Sequence, residues 1–236
     1  MEHNFSAKPQ LAVFARRPAP GRVKTRLAGT LGAERAAVLY RAFLADTIER
    51  AHKAAPGAVT LWLAPEPERS ARATIDDTLA ALAELGVGAV PAALQEGGDL
   101  GARMAHAFEV LLPHGPAAIV GSDAPDLPVE FLAAAFAALG DADLVLGPTE
   151  DGGYYLVAAR RAVGDLFTGV TWSTATTFEE TAQRAHARGW KLATLAPWRD
   201  VDDAEDFAAL ETRLARMPEQ GRPRHTAHAI TPGAQS

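Results

Sequence analysis

Short apolar runs that alternate with long amphipathic stretches restrict this chain more than any other feature. The runs Leu11-Ala12-Val13-Phe14, Ala58 to Ala64, Gly88 to Leu94 and Ala117-Ala118-Ile119-Val120 read as strands, as do Asp143 to Leu146, Tyr154 to Ala158 and Lys191 to Leu195. Between them lie stretches of helical period. Gly32 to Lys53 carries Ala37, Tyr40, Leu44 and Ile48 on one stripe, and Asp99 to Leu112 turns Leu100, Met104, Phe108 and Leu111 inward. Ser70 to Leu85, Pro128 to Leu139, Thr174 to Arg188 and Asp203 to Arg216 complete the helices. Such alternation predicts a three-layer α/β sandwich around a mainly parallel sheet. At 236 residues the chain suits one large domain over 11–216. Residues 1–10 are expected to be flexible, and the aperiodic Pro/Gly/His/Gln-rich stretch 217–236 to be a disordered tail.

The bulk chemistry excludes several classes. With no cysteine, there is no disulfide, thiolate zinc site or thiol nucleophile. The start is polar and lacks a secretory layout, and no apolar run approaches the ~20 residues of a membrane span. A cytoplasmic protein without membrane or nucleic-acid partners is expected, because the formal net charge of −6 leaves no broad basic face.

Against that acidic balance, five cationic side chains crowd the loop after the first strand: Arg16, Arg17, Arg22, Lys24 and Arg26. Ligands of open α/β folds sit beyond the carboxyl ends of strands. Arginine and lysine pair strongly with phosphate there, so the loop predicts a nucleotide's phosphates. It is no P-loop, since Val23 stands where that motif demands glycine. A solvated basic loop is the plain alternative.

Asp123 and Asp126, in Gly121-Ser122-Asp123-Ala124-Pro125-Asp126, follow a buried strand and can hold Mg²⁺ or Mn²⁺ against a diphosphate. Asp126 has a competing reading as a helix cap. In Glu150-Asp151-Gly152-Gly153-Tyr154, the glycines permit close backbone approach and Asp151 is placed to accept a proton from a substrate hydroxyl. The same residues also read as a hairpin turn. Asp203 with Asp206 reads as a helix N-cap, which leaves Asp200 and Asp202 over, one of them to complete a metal site with Asp123. Gln95, Asp99 and Arg103 belong to a Gly-rich loop entering a helix, suited to a base or an anion. Trp172 is either a stacking surface or an ordinary half-buried indole.

Together, Phe14 to Leu27, Gln95 to Met104, Gly121 to Pro128, Gly147 to Leu156, Thr171 to Thr174 and Asp200 to Phe207 resemble a bacterial family of small glycosyltransferase-A-like proteins. These are the radical-SAM/selenodomain-associated transferases of the nucleotide-diphospho-sugar transferase superfamily. The resemblance implies a Rossmann-like glycosyltransferase-A fold, a nucleotide-activated substrate with a small-molecule acceptor, and a divalent cation, Mg²⁺ or Mn²⁺. Carried over by position, it implies metal binding by Asp123 and Asp202 and phosphate or nucleotide binding by Arg16, Arg22, Lys24, Arg26, Gln95, Asp99 and Arg103. It further implies catalytic roles for Asp151 and Lys24 and an acceptor region at Glu150, Gly152, Gly153, Tyr154 and Trp172. One departure stands out: Gly121-Ser122-Asp123 replaces the Asp-x-Asp usual in sugar-transferring members. The single aspartate and the Lys-Thr-Arg-Leu run also resemble nucleotidyltransferases such as 2-phospholactate guanylyltransferase. Glycosyl transfer from a nucleotide sugar is the leading expectation, nucleotidyl transfer with release of pyrophosphate the second, and non-catalytic nucleotide binding the third.

Overall fold

The computed structural model describes residues 8–231. Its centre is a seven-stranded sheet in the order β3-β2-β1-β4-β6-β5-β7. The strands are β1 (Gln10–Ala15), β2 (Val59–Leu63), β3 (Ala92–Leu94), β4 (Ala117–Gly121), β5 (Leu144–Pro148), β6 (Tyr154–Ala159) and β7 (Leu192–Thr194). All run in parallel except β6, which is antiparallel to both β4 and β5. The mainly parallel sheet expected from the alternation is therefore present, with one reversed strand.

Period-two alternation sorts each strand's side chains between two cores. Leu11, Val13, Leu61, Leu63, Ala118 and Val120 pack under α2 (Ala33–Ala54), α3 (Ala71–Ala83) and α5 (Val129–Ala138), through Leu44, Ile48, Leu82 and Leu132. Ala12, Phe14, Trp62, Ile119 and Val157 face the other way, against Met104 and Phe108 of α4 (Leu100–Leu111) and Ala182 and Ala185 of α6 (Thr177–Ala187). Helices on both faces of one sheet make the three layers.

Two helices were not legible in the sequence. The cationic loop ends at Lys24, and Thr25–Leu31 forms a short helix, α1, that buries Leu27 and stops at Gly32 with φ of 84°. The second is the larger correction. Within the stretch read as a disordered tail, Arg224–Ile230 forms α8, which packs on α2; only residues 232–236 of that stretch, like residues 1–7 at the other end, lie outside the described residues. Composition hid it because its anchor is polar. The buried Asp46 carboxylate of α2 accepts from the His225 N–H (3.1 Å), the Thr226 N–H (2.7 Å) and the Thr226 hydroxyl (2.6 Å). Glu49, one turn on, takes the His225 ring at 3.0 Å and pairs with Arg224. Asp46, Glu49 and His225 lie close enough together to hold a cation, but their oxygens are already engaged in seating α8. Asp46→Ala is expected to cost about 2 kcal/mol, since two backbone donors at the start of α8 lose their acceptor. Faster tryptic cleavage between Arg216 and Arg224, with a lowered melting temperature, checks it.

The last major helix, α7 (Ala204–Arg216), opens with a capping box in which Asp203 accepts from the Asp206 N–H at 3.1 Å and the Asp206 carboxylate returns to the Asp203 N–H at 3.3 Å. Leu210 and Leu214 of α7 join Leu27, Leu39 and Phe43 in a third cluster. No helix among the described residues is long and apolar enough to cross a membrane.

Candidate active site

Because six strands share a direction and the reversed β6 begins where β5 ends, one edge of the sheet collects six connections: 16–24, 64–70, 95–99, 122–128, 149–153 and 195–203. Every motif singled out in the sequence except the Trp172 loop falls on one of them. All the connections but 149–153 contribute to the wall of a cavity of about 660 Å³, within the range of ligand sites. Arg16, Arg22, Lys24, Arg26, Gln95, Arg103, Asp123, Asp202 and Tyr154 all line it.

At its floor, Lys24 Nζ reaches Asp123 Oδ1 and also Asp202 Oδ1, the latter at 3.0 Å. Lys24, 178 positions before Asp202, thus joins the two aspartates through one ammonium, and its side chain is only 4% exposed. Arg26 reaches Asp202 Oδ2 at 2.5 Å from the solvent side. The two carboxylates are brought together by the backbone as well, since the Val201 N–H donates to the Asp123 carbonyl at 2.9 Å. Burial disfavours the Lys24 charge, but Asp123 and Asp202 outweigh it and hold the ammonium above its ordinary pKa.

Asp200 is the third carboxylate here. Burial, then the negative charge of Asp123, pushes it up to about 8 despite Lys24, with Asp202 and Asp151 adding to the rise. Three carboxyl groups, Asp123, Asp200 and Asp202, therefore gather around one buried cation. Asp123 and Asp202 offer the oxygen donors that Mg²⁺ or Mn²⁺ takes, here engaged by Lys24 and Arg26, so the donor chemistry fits such an ion.

Arg16 and Arg22 are exposed at the cavity and pair with no carboxylate among the described residues, whereas Arg17 turns away to Glu66 at 2.6 Å. Two non-glycine residues among those described have left-handed φ, Lys24 at 46° and Ser173 at 60°, and both line the cavity. Each conformation costs roughly 1 kcal/mol, which the surrounding packing must sustain.

Several expected residues sit elsewhere. Asp99 is the N-cap of α4, accepting from the Ala102 N–H at 2.7 Å, and is absent from the cavity wall. Gln95 lines the cavity, but its amide N–H donates to the Trp62 carbonyl at 2.8 Å, which makes it a brace between β2 and β3. Trp172 packs where a Cβ on Gly101 would stand 2.6 Å from its ring, edge-on to Tyr154, so the half-buried alternative is the observed one. Tyr154 keeps a buried hydroxyl whose pKa burial raises. Glu150 faces Arg199 at 3.9 Å, outside the wall. Asp151 closes its own turn, with Oδ1 accepting from the Thr149 hydroxyl (2.5 Å) and the Gly153 N–H (3.2 Å). Gly152 is required where it is, as a Cβ there would meet the Ala175 carbonyl oxygen at 2.1 Å. Asp126 neither caps nor faces the cavity. It is 1% exposed and pairs with Arg213 of α7 through two bonds, 2.6 and 3.2 Å long.

Sequence reasoning overlooked Tyr40 and Ser122. The buried Tyr40 hydroxyl accepts from the Arg16 N–H at 2.9 Å and meets Ser122 Oγ at 2.8 Å, so α2 joins the ends of β1 and β4 beside the carboxylates. A tyrosine on an apolar stripe gives no sign of this, because its partners are distant in sequence. Tyr40→Phe should destabilise by about 1–2 kcal/mol in chemical denaturation, since the Arg16 N–H loses its acceptor.

The fold matches that of structures of the nucleotide-diphospho-sugar transferase type. A crystal structure from Desulfovibrio desulfuricans G20, of a protein provisionally named a nucleotide-diphospho-sugar transferase, superposes with a TM-score of 0.81 at 29% identity, covering 94% of this chain and 93% of the other. The chain belongs to the family described as "Uncharacterized protein conserved in bacteria (DUF2064)", which matches residues 47–174. No curated protein matches the sequence. The same fold recurs in CMP:2-keto-3-deoxy-manno-octonic acid synthetase complexed with CTP (TM-score 0.54, 13% identity, 89% of this chain and 99% of that one). It recurs again in the manganese complex of Rv0371c from Mycobacterium tuberculosis H37Rv (TM-score 0.50, 15% identity, 86% and 97%).

Proposed function

We propose that the protein is a metal-dependent glycosyltransferase that takes a sugar from a nucleotide diphosphate. The observation that carries this reading is the junction of Lys24 with Asp123 and Asp202 in a cavity whose mouth bears Arg16 and Arg22, unpaired among the described residues. Asp123 and Asp202, with Asp200 beside them, would hold Mg²⁺ or Mn²⁺, which neutralises charge on a leaving diphosphate. Arg16, Arg22 and Lys24 bind the diphosphate oxygens, and Arg103 lies along the same wall. An acceptor hydroxyl oxygen forms a bond to the anomeric carbon as the bond from that carbon to the diphosphate oxygen breaks. The bonding pair leaves with the diphosphate. Asp151 stands outside the cavity wall, in the turn before Tyr154, with both its hydrogen bonds on Oδ1, and is the residue assigned to take the acceptor's proton or orient its hydroxyl. The likeness to the D. desulfuricans protein supports the choice.

A second reading keeps the site and changes the bond. The acceptor oxygen attacks the α-phosphorus of a nucleoside triphosphate and pyrophosphate departs. The single aspartate at the end of β4 favours it, as does the fold shared with the CTP-bound synthetase. Incubation with a panel of nucleotide sugars and nucleoside triphosphates plus Mg²⁺ or Mn²⁺ separates the two by product. Nucleoside diphosphate release supports glycosyl transfer. Pyrophosphate release without diphosphate overturns it in favour of the second reading.

A further inference from the structure

We propose that Lys24 is a movable counter-ion. In the free protein its ammonium holds Asp123 and Asp202; on ligand binding it yields those oxygens to a divalent cation and passes to the diphosphate, so that cation and diphosphate bind well only together. This deepens the proposed function and rests on its assignment of Asp123 and Asp202 to the metal.

The contacts require a choice. Lys24 uses Oδ1 of Asp123 and Oδ1 of Asp202, the same two side chains that would face the metal, and it is nearly shut off from water. Two cations on the same oxygens repel strongly in such a setting. Lysine is also the side chain suited to the exchange, a compact charge on four rotatable carbons, whereas guanidinium donors are fixed in a planar fork. Arg26 provides the contrast: it touches Asp202 alone, through Oδ2, from an exposed position. The backbone is fitted to the arrangement, because the left-handed turn at Lys24, at the start of α1, brings the side chain inward against its local preference. Once displaced, a buried ammonium needs another anion. The cavity at whose floor it lies carries Arg16 and Arg22, whose guanidinium groups pair with no carboxylate among the described residues, which marks where that anion sits. Because the metal's cost of displacing Lys24 is recovered only when the diphosphate arrives, each ligand must strengthen the other by the same factor.

The test is Mn²⁺ binding by the full-length protein, read from the loss of the free-ion EPR signal, with folding checked by circular dichroism. Lys24→Met should bind bare Mn²⁺ about tenfold or more tightly than wild type, and Arg26→Met should gain no more than about threefold. Adding Asp123→Asn to Lys24→Met should abolish the gain. For the preformed Mn²⁺–pyrophosphate complex, followed by equilibrium dialysis, the order inverts and Lys24→Met binds about tenfold more weakly than wild type. Equal bare-Mn²⁺ affinities for wild type and Lys24→Met, or equal gains in Lys24→Met and Arg26→Met, overturn the proposal. A gain that survives Asp123→Asn instead removes the metal from these carboxylates, and with it the proposed function. If Lys24→Met does not fold, wild type alone decides. It should bind Mn²⁺–pyrophosphate at least about tenfold more tightly than bare Mn²⁺ and than pyrophosphate alone, and equality with either rejects the coupling.

Discussion

Asp123→Asn is expected to reduce turnover by about a thousandfold or more while leaving the melting temperature within a few degrees of wild type. The first half follows from charge. Asparagine keeps the shape of the side chain but removes the carboxylate shared by Lys24 and the proposed metal, and loss of one electrostatic contact to a developing charge costs about 4 kcal/mol in such sites. The second half follows from position. The Asp123 side chain is 41% exposed, and Lys24 retains Asp202 at 3.0 Å. Initial rates on whichever nucleotide substrate the panel identifies, with a thermal melt of the same preparation, measure both. A variant that kept more than a tenth of wild-type activity would remove Asp123 from the reaction.

Arg213→Met should have the opposite signature, a large loss of stability. It leaves the Asp126 carboxylate, 1% exposed, with only the Trp198 indole N–H at 3.3 Å. A buried charge stripped of its partner typically costs about 3–5 kcal/mol, which in a chain of this size lowers the melting temperature by roughly 10 °C. The double variant Asp126→Leu with Arg213→Met should recover much of that loss, because an apolar pair of similar volume carries no unpaired charge. The pair matters to the site through position: Asp126 and Trp198 sit just behind Asp123 and Asp200, and their contact ties the two carboxylate-bearing connections together. Recovery of stability without recovery of activity in the double variant would mark that tie as the means by which Asp200 and Asp202 are aligned. If the single variant melts as wild type does, the pair contributes nothing.

Much of this was readable from the residues, for a definite reason. Strands such as Leu11-Ala12-Val13-Phe14 are buried on both faces, so they stand out as unbroken apolar runs, and the capping box at Asp203 and Asp206 is a local signal. The cationic turn was visible because like charges are seldom concentrated in an acidic chain. What escaped depends on contacts between distant positions. The helix at 224–230 is held by polar bonds to Asp46 across 180 residues, which composition cannot reveal. Asp126 looked like a cap or a ligand because Arg213 is 87 residues away. Trp172 and Asp99 carried the right chemistry in the right neighbourhood, and only the packing over Gly101 and the Ala102 N–H shows how they are used.

The reversal of β6 has a consequence for how such a scaffold diversifies. A parallel return would have needed a crossover of a dozen or more residues, whereas the hairpin brings the chain back within residues 149–153. That short tip is nonetheless not free to drift, since Gly152 lies against the Ala175 carbonyl and its own carbonyl accepts from the Phe178 N–H at 2.9 Å. Relatives that remodel this tip to admit a bulkier co-substrate would have to rewrite the 171–176 stretch in the same step, so the two segments should be inherited as a matched pair.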